Sequence, residues 1–405
     1  MRVSKDVFCY HPITLPPFTH CQSQMKILFL DQSGKPGGAE LCLIDIAKPY
    51  RQDCLVGLFA DGSFKTLLEE NQIPVKVLNR KEIEVRKESS LLQGLRSLGQ
   101  ILPLILTVAK IAREYDLIYA NTQKALAIGA LASFFSNRPL VYHLHDILSP
   151  EHFSQTNRRI AIALANKFAS LVIANSQASK DAFITAGGKS EIVKIVYNGF
   201  EPAKYKVKES QVNDIKQELE LDGKFVVGHF SRLAPWKGQH ILIEAIAKSP
   251  KNVIAILVGD ALFGEQEYVS QLHKQVRNLG LENRVKFLGF RDDIPQLMTA
   301  CDLVSHTSTS PEPFGRVIVE AMLCQKPIVA AKAGGAMELI DHEVNGFLTT
   351  PENTQELTQI IDKCLNNPEE ITNIAKTARQ NAAERFNVVN INQQITQHIE
   401  STMGL

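Results

Sequence analysis

Short apolar runs rich in Val, Ile and Leu alternate with longer stretches of helical spacing along almost the whole chain. The first half contains seven such runs, among them 26–30 and 117–120, and the second half contains six, among them 225–230 and 253–260. Buried β-branched strands that alternate with helices predict parallel sheets covered on both faces. Thirteen strands are more than one doubly wound sheet usually holds. The pattern therefore predicts an α/β protein with two sheets.

The division between the two sheets is predicted where the strand pattern stops. The polar segment 201–224 contains no strand pattern, and residues 353–403 read as helices only. We therefore predict one Rossmann-like domain over residues 25–205 and a second over residues 206–387. Residues 1–24 lack the apolar segment of a signal peptide, and we expect them to be an N-terminal extension without a function.

Composition and charge narrow the classes of function. The chain of 405 residues is 44% hydrophobic, 21% charged and carries a net charge of +1, which is typical of globular proteins and argues against a nucleic-acid partner. The seven cysteines show no C-x-x-C spacing, so isolated thiols in a reducing cytoplasm are favoured over disulfides or zinc. The most apolar stretch, residues 101–112, is too short to cross a bilayer.

Ligands of open α/β sheets bind beyond the carboxyl ends of the strands, so residues that follow predicted strands are the candidates for chemistry. The segment SPEPFGRVIVE follows one such strand and opens a helix, with the carboxylates of Glu312 and Glu320 on either side of Gly315. The free N–H groups of a first helical turn suit an anion. Arg316 in that turn opposes the helix dipole unless an anion lies there. The alternative is a surface helix with scattered glutamates.

Two more segments follow predicted strands. Arg232 and Lys237 lie in the loop after residues 225–230, where Arg can fork onto phosphate oxygens and Lys can add a compact charge. The alternative is that these two basic side chains are solvated. The segment GKPGGAE lies between the first strand and the first helix, and a glycine such as Gly38 lets the backbone approach a ligand closely. It matches neither the G-x-G-x-x-G nor the Walker pattern, so alone it is a weak signal.

A histidine-containing segment, YHLHD, ends another predicted strand. His145 and Asp146 are candidates for polar contacts or proton transfer. Two alternatives compete, namely a histidine that caps the strand end and a metal site built from His143 and His145. A metal is disfavoured, because no further His or Cys has the spacing of a ligand and the chain contains no Asp-x-Asp.

Together these segments resemble the retaining glycosyltransferases of family 4. The resemblance covers residues 26 to about 387 and rests on motifs in order along the chain, which are Gly37-Gly38-x-Glu40, His145-Asp146, Asn198-Gly199, Arg232 with Lys237-Gly238, Glu312-x7-Glu320, Gly334-Gly335-x-x-Glu338 and Asn345-Gly346. It implies the GT-B fold, two Rossmann-like domains facing across a cleft, with a C-terminal helix at about 388–405 that returns to the first domain. The surrounding sequence is most similar to cyanobacterial exopolysaccharide enzymes, including the heterocyst-envelope type.

The resemblance implies a nucleotide-sugar donor on the second domain and an acceptor on the first. Arg232 and Lys237 would neutralise the departing diphosphate, Glu320 would bind the ribose, and Glu312 would hold sugar hydroxyls. His145 would lie near the O6 hydroxyl of the sugar. The implied catalytic residues are Arg232, Lys237, Glu312 and His145; the implied donor-binding residues are Gly38, Arg232, Lys237, Phe290, Glu312, Phe314, Gly315, Arg316, Val317 and Glu320; and Gly37, Gly38, His145 and Asp146 are implied on the acceptor side.

The implied reaction is a retaining hexosyl transfer, with UDP-glucose as the preferred donor, a glycan or a lipid-linked sugar as acceptor, and no cofactor or metal. A non-catalytic sugar-nucleotide-binding protein on the same fold is the alternative. A two-domain NAD-dependent oxidoreductase is a weaker alternative, because its phosphate fingerprint is missing. A glycoside hydrolase with two carboxylates would act without a nucleotide.

The charge is unevenly distributed, with +5 over residues 25–205 and −5 over residues 206–405. A basic cluster runs into the apolar stretch and consists of Lys76, Arg80, Lys81, Arg86, Lys87 and Arg96. Basic residues beside apolar ones suit an anionic membrane surface. For a cytoplasmic protein, the hypothesis is reversible peripheral contact at the inner face of the plasma membrane through residues 76–106. The alternative is a solvated basic loop next to a core helix.

Overall fold

The computed structural model describes residues 25–78, 91–150, 153–261 and 264–404, with only the backbone described for residues 91–100. The extension over residues 1–24 lies outside the described residues. So do four members of the basic cluster, Arg80, Lys81, Arg86 and Lys87, and the side chain of Arg96.

Among the described residues, seven parallel strands form the first sheet. Their bounds are β1 Ile27–Asp31, β2 Cys54–Leu58, β3 Val75–Val77, β4 Leu117–Ala120, β5 Leu140–Leu144, β6 Ala169–Ala174 and β7 Val193–Ile195. The strand order is β3-β2-β1-β4-β5-β6-β7. Every residue of β1, β4 and β5 is buried. Burial on both faces explains why these strands read as continuous apolar runs without alternation.

The second sheet contains six parallel strands in the part of the chain that the structure describes. Their bounds are β8 Phe225–Phe230, β9 Val253–Val258, β10 Val285–Gly289, β11 Leu303–His306, β12 Ile328–Ala331 and β13 Phe347–Thr349, in the order β10-β9-β8-β11-β12-β13. In each sheet the next two strands of the chain lie on one side of the first strand, β1 or β8, and all later strands lie on its other side. This order is typical of doubly wound sheets. The predicted fold class, two Rossmann-like parallel sheets, is confirmed.

The helices cover both faces of the sheets. Their bounds are α1 Gly38–Ala47, α2 Ser63–Glu70, α3 Leu91–Ala112, α4 Gln123–Ser136, α5 Gln155–Phe168, α6 Gln177–Thr185, α7 Glu209–Glu218, α8 Gln239–Lys248, α9 Gln266–Asn278, α10 Ile294–Ala300, α11 Arg316–Leu323, α12 Ala336–Leu339, α13 Thr354–Asn366, α14 Pro368–Arg385 and α15 Val388–Met403. Within the described residues, none of these helices has the length and apolar character needed to span a bilayer.

The chain passes between the two sheets at a pair of adjacent segments. The amide of Phe200 donates to the carbonyl of Phe386 at 2.8 Å, and the amide of Val388 donates to the carbonyl of Phe200 at 2.8 Å. After the second crossing, α15 returns to the first sheet, where Ile391, Ile395 and Ile399 are buried in the same apolar cluster as Ile27 and Leu43. The first strand, β1, and the last helix, α15, thereby pack into one apolar core.

Candidate active site

A buried charged cluster lies at the carboxyl end of β11 in the second sheet. The ammonium of Lys237 forms an ion pair with Oε1 of Glu312, whose side chain is 8% exposed. The same oxygen lies 3.1 Å from Nε2 of His306 and accepts a hydrogen bond from Ser308 at 2.9 Å. Burial by itself would raise the pKa of Glu312, but the charge of Lys237 and the contact with His306 hold that pKa well below its usual range. Glu312 is therefore an anion at neutral pH.

The loop after β8 carries the predicted basic pair. Gly238 ends the turn with φ 72°, and a Cβ at this position would lie 1.9 Å from the carbonyl oxygen of Thr307, so only glycine fits. Trp236 packs against both cations, with the Lys237 ammonium 4.0 Å and the Arg232 guanidinium 5.6 Å from its ring centre. Arg232 also lies 3.5 Å from a carboxylate oxygen of Glu265. The indole thus holds both cations beside the strand end.

The turn before α11 places the helix N-terminus at the cleft. Gly315 adopts φ 96°, a left-handed conformation that favours glycine. The side chain of Phe314 is 2% exposed and stacks on Phe200 with ring centres 6.3 Å apart. The ring of Phe314 is therefore a core group, and only its backbone can contact a ligand. Val317, one residue into the helix, is partly buried.

Arg316 reaches from the second domain towards the first. A Cβ on Gly38 would lie 3.4 Å from Cδ of Arg316, and the guanidinium lies 4.5 Å above the ring of Phe200. Its Nε lies 3.7 Å from Glu320, and in the described part of the chain its Nε and one terminal nitrogen are buried without a hydrogen-bond partner. Burial raises the pKa of Glu320, and the charge of Arg316 opposes that effect. A buried guanidinium with unused donors beside a helix N-terminus is suited to an anionic ligand.

In the first domain, three neighbouring strands end in a chain of hydrogen bonds. Nδ2 of Asn121, the residue after β4, donates to Asp31 at 2.7 Å and to the carbonyl of Ala39 at 3.2 Å. Nε2 of His145 lies 2.9 Å from Oδ1 of Asn121. Burial and the nearby charge of Arg316 lower the pKa of His145 to about 3, so the ring is neutral. Asp146, next to His145, is partly buried.

The glycine segment lies at the start of α1. Gly37 and Gly38 are exposed, so a ligand in the cleft can reach their backbone. The carboxylate of Glu40 accepts a hydrogen bond from the amide of Gly37 at 2.9 Å. Burial, together with the charge of Asp31, raises the pKa of Glu40 to about 7. Burial likewise raises the pKa of Asp31 to about 6.

Cys42 lies beside the two histidines of the predicted strand end, a contact that spacing did not reveal. One ligand atom each of Cys42, His143 and His145 lie within 4.8 Å of one another. The two imidazole rings pack against each other, with centres 3.9 Å apart and planes tilted by 34°, and Nδ1 of His143 is hydrogen-bonded to the hydroxyl of Tyr119 at 2.8 Å. Burial raises the pKa of Cys42 to about 12, and the thiol donates to Asn198. This geometry is typical of packed neutral groups.

Glu338 of the second domain forms hydrogen bonds with the first domain. Its carboxylate accepts hydrogen bonds from the amides of Gln177 at 2.8 Å and Ala178 at 3.0 Å, both at the N-terminus of α6. A negative charge is stabilising at that end of a helix. The amide of Gly335 donates to the carbonyl of Glu312 at 2.7 Å. A backbone hydrogen bond therefore links the segment that carries Glu338 to Glu312 of the charged cluster.

Sequence reasoning missed His306, Ser308, Asn121 and Asp31 as members of the site. All four lie at or directly after the carboxyl end of a strand, which is the signal that could have found them. Phe290, predicted to bind the donor, follows β10 and is 74% exposed. It lies at the edge of the second sheet, away from the charged cluster, and its role stays a prediction.

Family models match most of the chain in two pieces. The model described as Glycosyltransferase Family 4 matches residues 36–204, and the model described as Glycosyl transferases group 1 matches residues 211–381. The gap between the two matches falls between the last strand of the first sheet and the first strand of the second.

Solved structures and curated proteins are similar as well. Anabaena Alr3699/HepE, crystallised in complex with UDP-glucose, is 66% identical with a TM-score of 0.87, covering 93% of this chain and 100% of its own. The same protein was crystallised with UDP and glucose. Uncharacterized glycosyltransferase MJ1607 of Methanocaldococcus jannaschii is 28% identical, covering 69% of this chain and 73% of its own. A Rickettsia africae glycosyltransferase shares the fold, with a TM-score of 0.79 at 19% identity over 94% of this chain and 99% of its own.

Proposed function

The chain belongs to family 4 of the glycosyltransferases, and from that premise we propose that it transfers glucose from UDP-glucose to an acceptor hydroxyl with retention of configuration. The observation that carries the proposal is the cluster of Lys237, Glu312 and His306 beside the N-terminus of α11. It combines a fixed cation with a fixed anion at one strand end. The likeness to Alr3699/HepE, crystallised with UDP-glucose, favours uridine and glucose.

In the proposed reaction the second domain stabilises the leaving group. Arg232, Lys237 and the amides at the start of α11 face the place where negative charge grows as the diphosphate departs. Glu312, held as an anion, accepts hydrogen bonds from sugar hydroxyls and orients the anomeric carbon. Glu320 accepts hydrogen bonds from the ribose. The acceptor attacks from the face that the diphosphate leaves, and a diphosphate oxygen takes the acceptor proton.

We propose that the reaction needs no metal ion. Arg232, Lys237 and Arg316 each carry a positive charge held beside a carboxylate, and in the proposal each neutralises part of the diphosphate charge.

Ligand binding separates this function from its alternatives. Thermal shift assays with UDP, GDP, ADP and NAD should show stabilisation by UDP, because a ligand that binds only the folded state raises the melting temperature. Stabilisation by NAD alone would favour the oxidoreductase. Product analysis with UDP-glucose then tests catalysis, since a non-catalytic binding protein would be stabilised by UDP without releasing it from UDP-glucose.

The proposed acceptor is a glycan or a lipid-linked sugar in polysaccharide or glycolipid synthesis. We propose that the first domain binds it at the cytoplasmic face of the plasma membrane. Exposed apolar side chains on α3 and α4 support membrane contact, namely Leu102 and Leu106, each 51% exposed, Phe134 at 71% and Phe135 at 47%. Arg113 and Arg138 are hydrogen-bonded beside them, Arg113 to the carbonyl of Phe135 and Arg138 to that of Arg113. Apolar side chains beside guanidinium groups suit an anionic lipid surface.

Flotation with liposomes that contain anionic lipid tests this contact. Binding should appear at low salt and weaken as salt rises, because screening reduces the attraction of arginine to lipid. The variant with Phe134→Ser and Phe135→Ser should lose binding. Val344→Ser, which changes a side chain 54% exposed on the second domain, is the matched control. A wild-type protein that stays out of the lipid fraction at low salt would contradict the proposal.

A further inference from the structure

Three residues of the first domain form a hydrogen-bonded chain across neighbouring strands. The strand order β1-β4-β5 places Asp31, Asn121 and His145 side by side at one edge of the sheet. Asp31 and Asn121 have no accessible surface, whereas His145 is only partly buried. This series of hydrogen bonds therefore runs from buried groups in the core of the first domain to the partly exposed ring of His145.

The contacts of Asn121 determine which way its amide points. Its nitrogen lies 3.2 Å from the carbonyl of Ala39, a group that can only accept a hydrogen bond. It also lies 2.7 Å from the carboxyl group of Asp31. The amide oxygen therefore faces His145, and an oxygen without a proton can only accept. Nε2 of His145, 2.9 Å away, must carry the proton of this hydrogen bond.

The other ring nitrogen of His145 is consequently a bare acceptor. Burial and the charge of Arg316 keep the ring neutral, so Nδ1 carries a lone pair and no proton. In the described part of the chain Nδ1 makes no hydrogen bond, yet it is not among the buried unpartnered atoms. It keeps accessible surface and can take a ligand.

We propose that Asn121 is a positioning residue that fixes His145 as the Nε2–H tautomer. The donor-sugar hydroxyl that the family resemblance places near His145 then has to donate to the Nδ1 lone pair. The identity of this sugar rests on the proposed function. A hydroxyl can donate to Nδ1. A carboxylate at C6, as in a glucuronosyl donor, would place lone pair against lone pair, and a pentosyl donor such as UDP-xylose would leave Nδ1 unpaired.

The tautomer can be measured without any activity. Long-range ¹H–¹⁵N correlation spectra of protein labelled with ¹⁵N-histidine distinguish a protonated ring nitrogen from an unprotonated one, and comparison with His145→Gln assigns the signal. We expect His145 to have a protonated Nε2 and an unprotonated Nδ1 at neutral pH. A protonated Nδ1 would overturn the inference, whatever the enzyme binds.

Donor binding tests the selectivity. By calorimetry, the wild type should bind UDP-glucose roughly 3- to 10-fold more tightly than UDP-xylose, the scale of one neutral hydrogen bond, and UDP-glucuronate more weakly still. Asn121→Leu should weaken the binding of UDP-glucose by a similar factor and leave the affinity for UDP-xylose almost unchanged. Asn175→Leu removes another buried asparagine, the residue after β6, and is the matched control that should keep the preference.

The outcomes separate the two claims. Equal weakening of both donors by Asn121→Leu would show a structural role only and overturn the inference. A wild type that binds none of the three donors would refute the proposed function, and the tautomer would still be decided by the spectra.

Discussion

The two sheets place opposite kinds of chemistry at their carboxyl ends. In the second domain Lys237 contacts Glu312, and the pKa of that carboxyl group is held well below its usual range. In the first domain Asp31 and Glu40 are buried, and the pKa values of these carboxyl groups rise to about 6 and about 7. One topology thus supports an ionic site on one side of the cleft and a nearly neutral network on the other.

Under the proposed function, this difference gives the two domains different tasks. A site with fixed cations can stabilise a diphosphate, whose charge grows as it leaves. Neutral groups with fixed hydrogen-bond directions, such as Asn121 and His145, are better suited to the hydroxyls of a sugar or an acceptor. Arg316 and Glu338 connect the two regions, one beside Gly38 and the other at the N-terminus of α6.

Loss of a cation from the ionic site should have the largest effect. Lys237→Ala or Arg232→Ala should lower turnover about 100-fold or more, because each removes a contact that strengthens in the transition state. The rate of UDP release from UDP-glucose measures the effect. Lys224→Ala, an exposed lysine of the same domain, is the control. Near wild-type rates in both variants would refute the assignment of the ionic site.

Weakening the contact between the domains should have a smaller effect. Glu338→Gln keeps the shape but removes the charge that accepts from the amides of Gln177 and Ala178. We expect kcat/KM to fall roughly 3- to 10-fold, the scale of one charge at a helix end. Small-angle scattering should show a larger radius of gyration than that of the wild type. Glu282→Gln, exposed in the same domain, should change neither quantity.

Neutralising a carboxyl group of the first domain should change how stability depends on pH. The folded-state pKa of Glu40 is raised from 4.5 to about 7, so its contribution to stability is complete below pH 4.5 and is lost as pH rises through 7. Glu40→Gln lacks this loss. It should gain on the order of 1–2 kcal/mol relative to wild type between pH 5 and 8.

Urea unfolding of both proteins at several pH values measures that gain. Glu114→Gln changes an exposed carboxylate of the same domain and should follow the wild type. A constant difference between Glu40→Gln and wild type over the whole range would show that Glu40 does not titrate in this interval.

Removal of divalent cations should leave the reaction rate unchanged. If Arg232, Lys237 and Arg316 carry the diphosphate charge, the rate in excess EDTA should equal the rate without it. Activity that disappears in EDTA and returns with Mg²⁺ or Mn²⁺ would show that the ionic site is incomplete without a metal.

The sequence by itself determined the architecture and which segments follow the strands. Buried strands have to be continuous apolar runs, and helices have to follow a 3.6-residue period, so their alternation predicted two parallel sheets. Residues after the strands were therefore candidates. In the structure His145 directly follows β5, while Arg232 and Lys237 lie in the loop after β8 and Glu312 lies in the loop after β11.

Only the tertiary structure decided which of these residues touch, and therefore how each is charged. Asn121 meets Asp31 across 90 positions, and Glu338 meets Gln177 across 161. Such pairs depend on the strand order and on how the two domains face each other, and residue spacing carries no information about either. Burial beside a cation lowers the pKa of Glu312, whereas burial without one raises that of Glu40. The same residue type, glutamate, is therefore an anion at Glu312 in the second domain and close to half-protonated at Glu40 in the first.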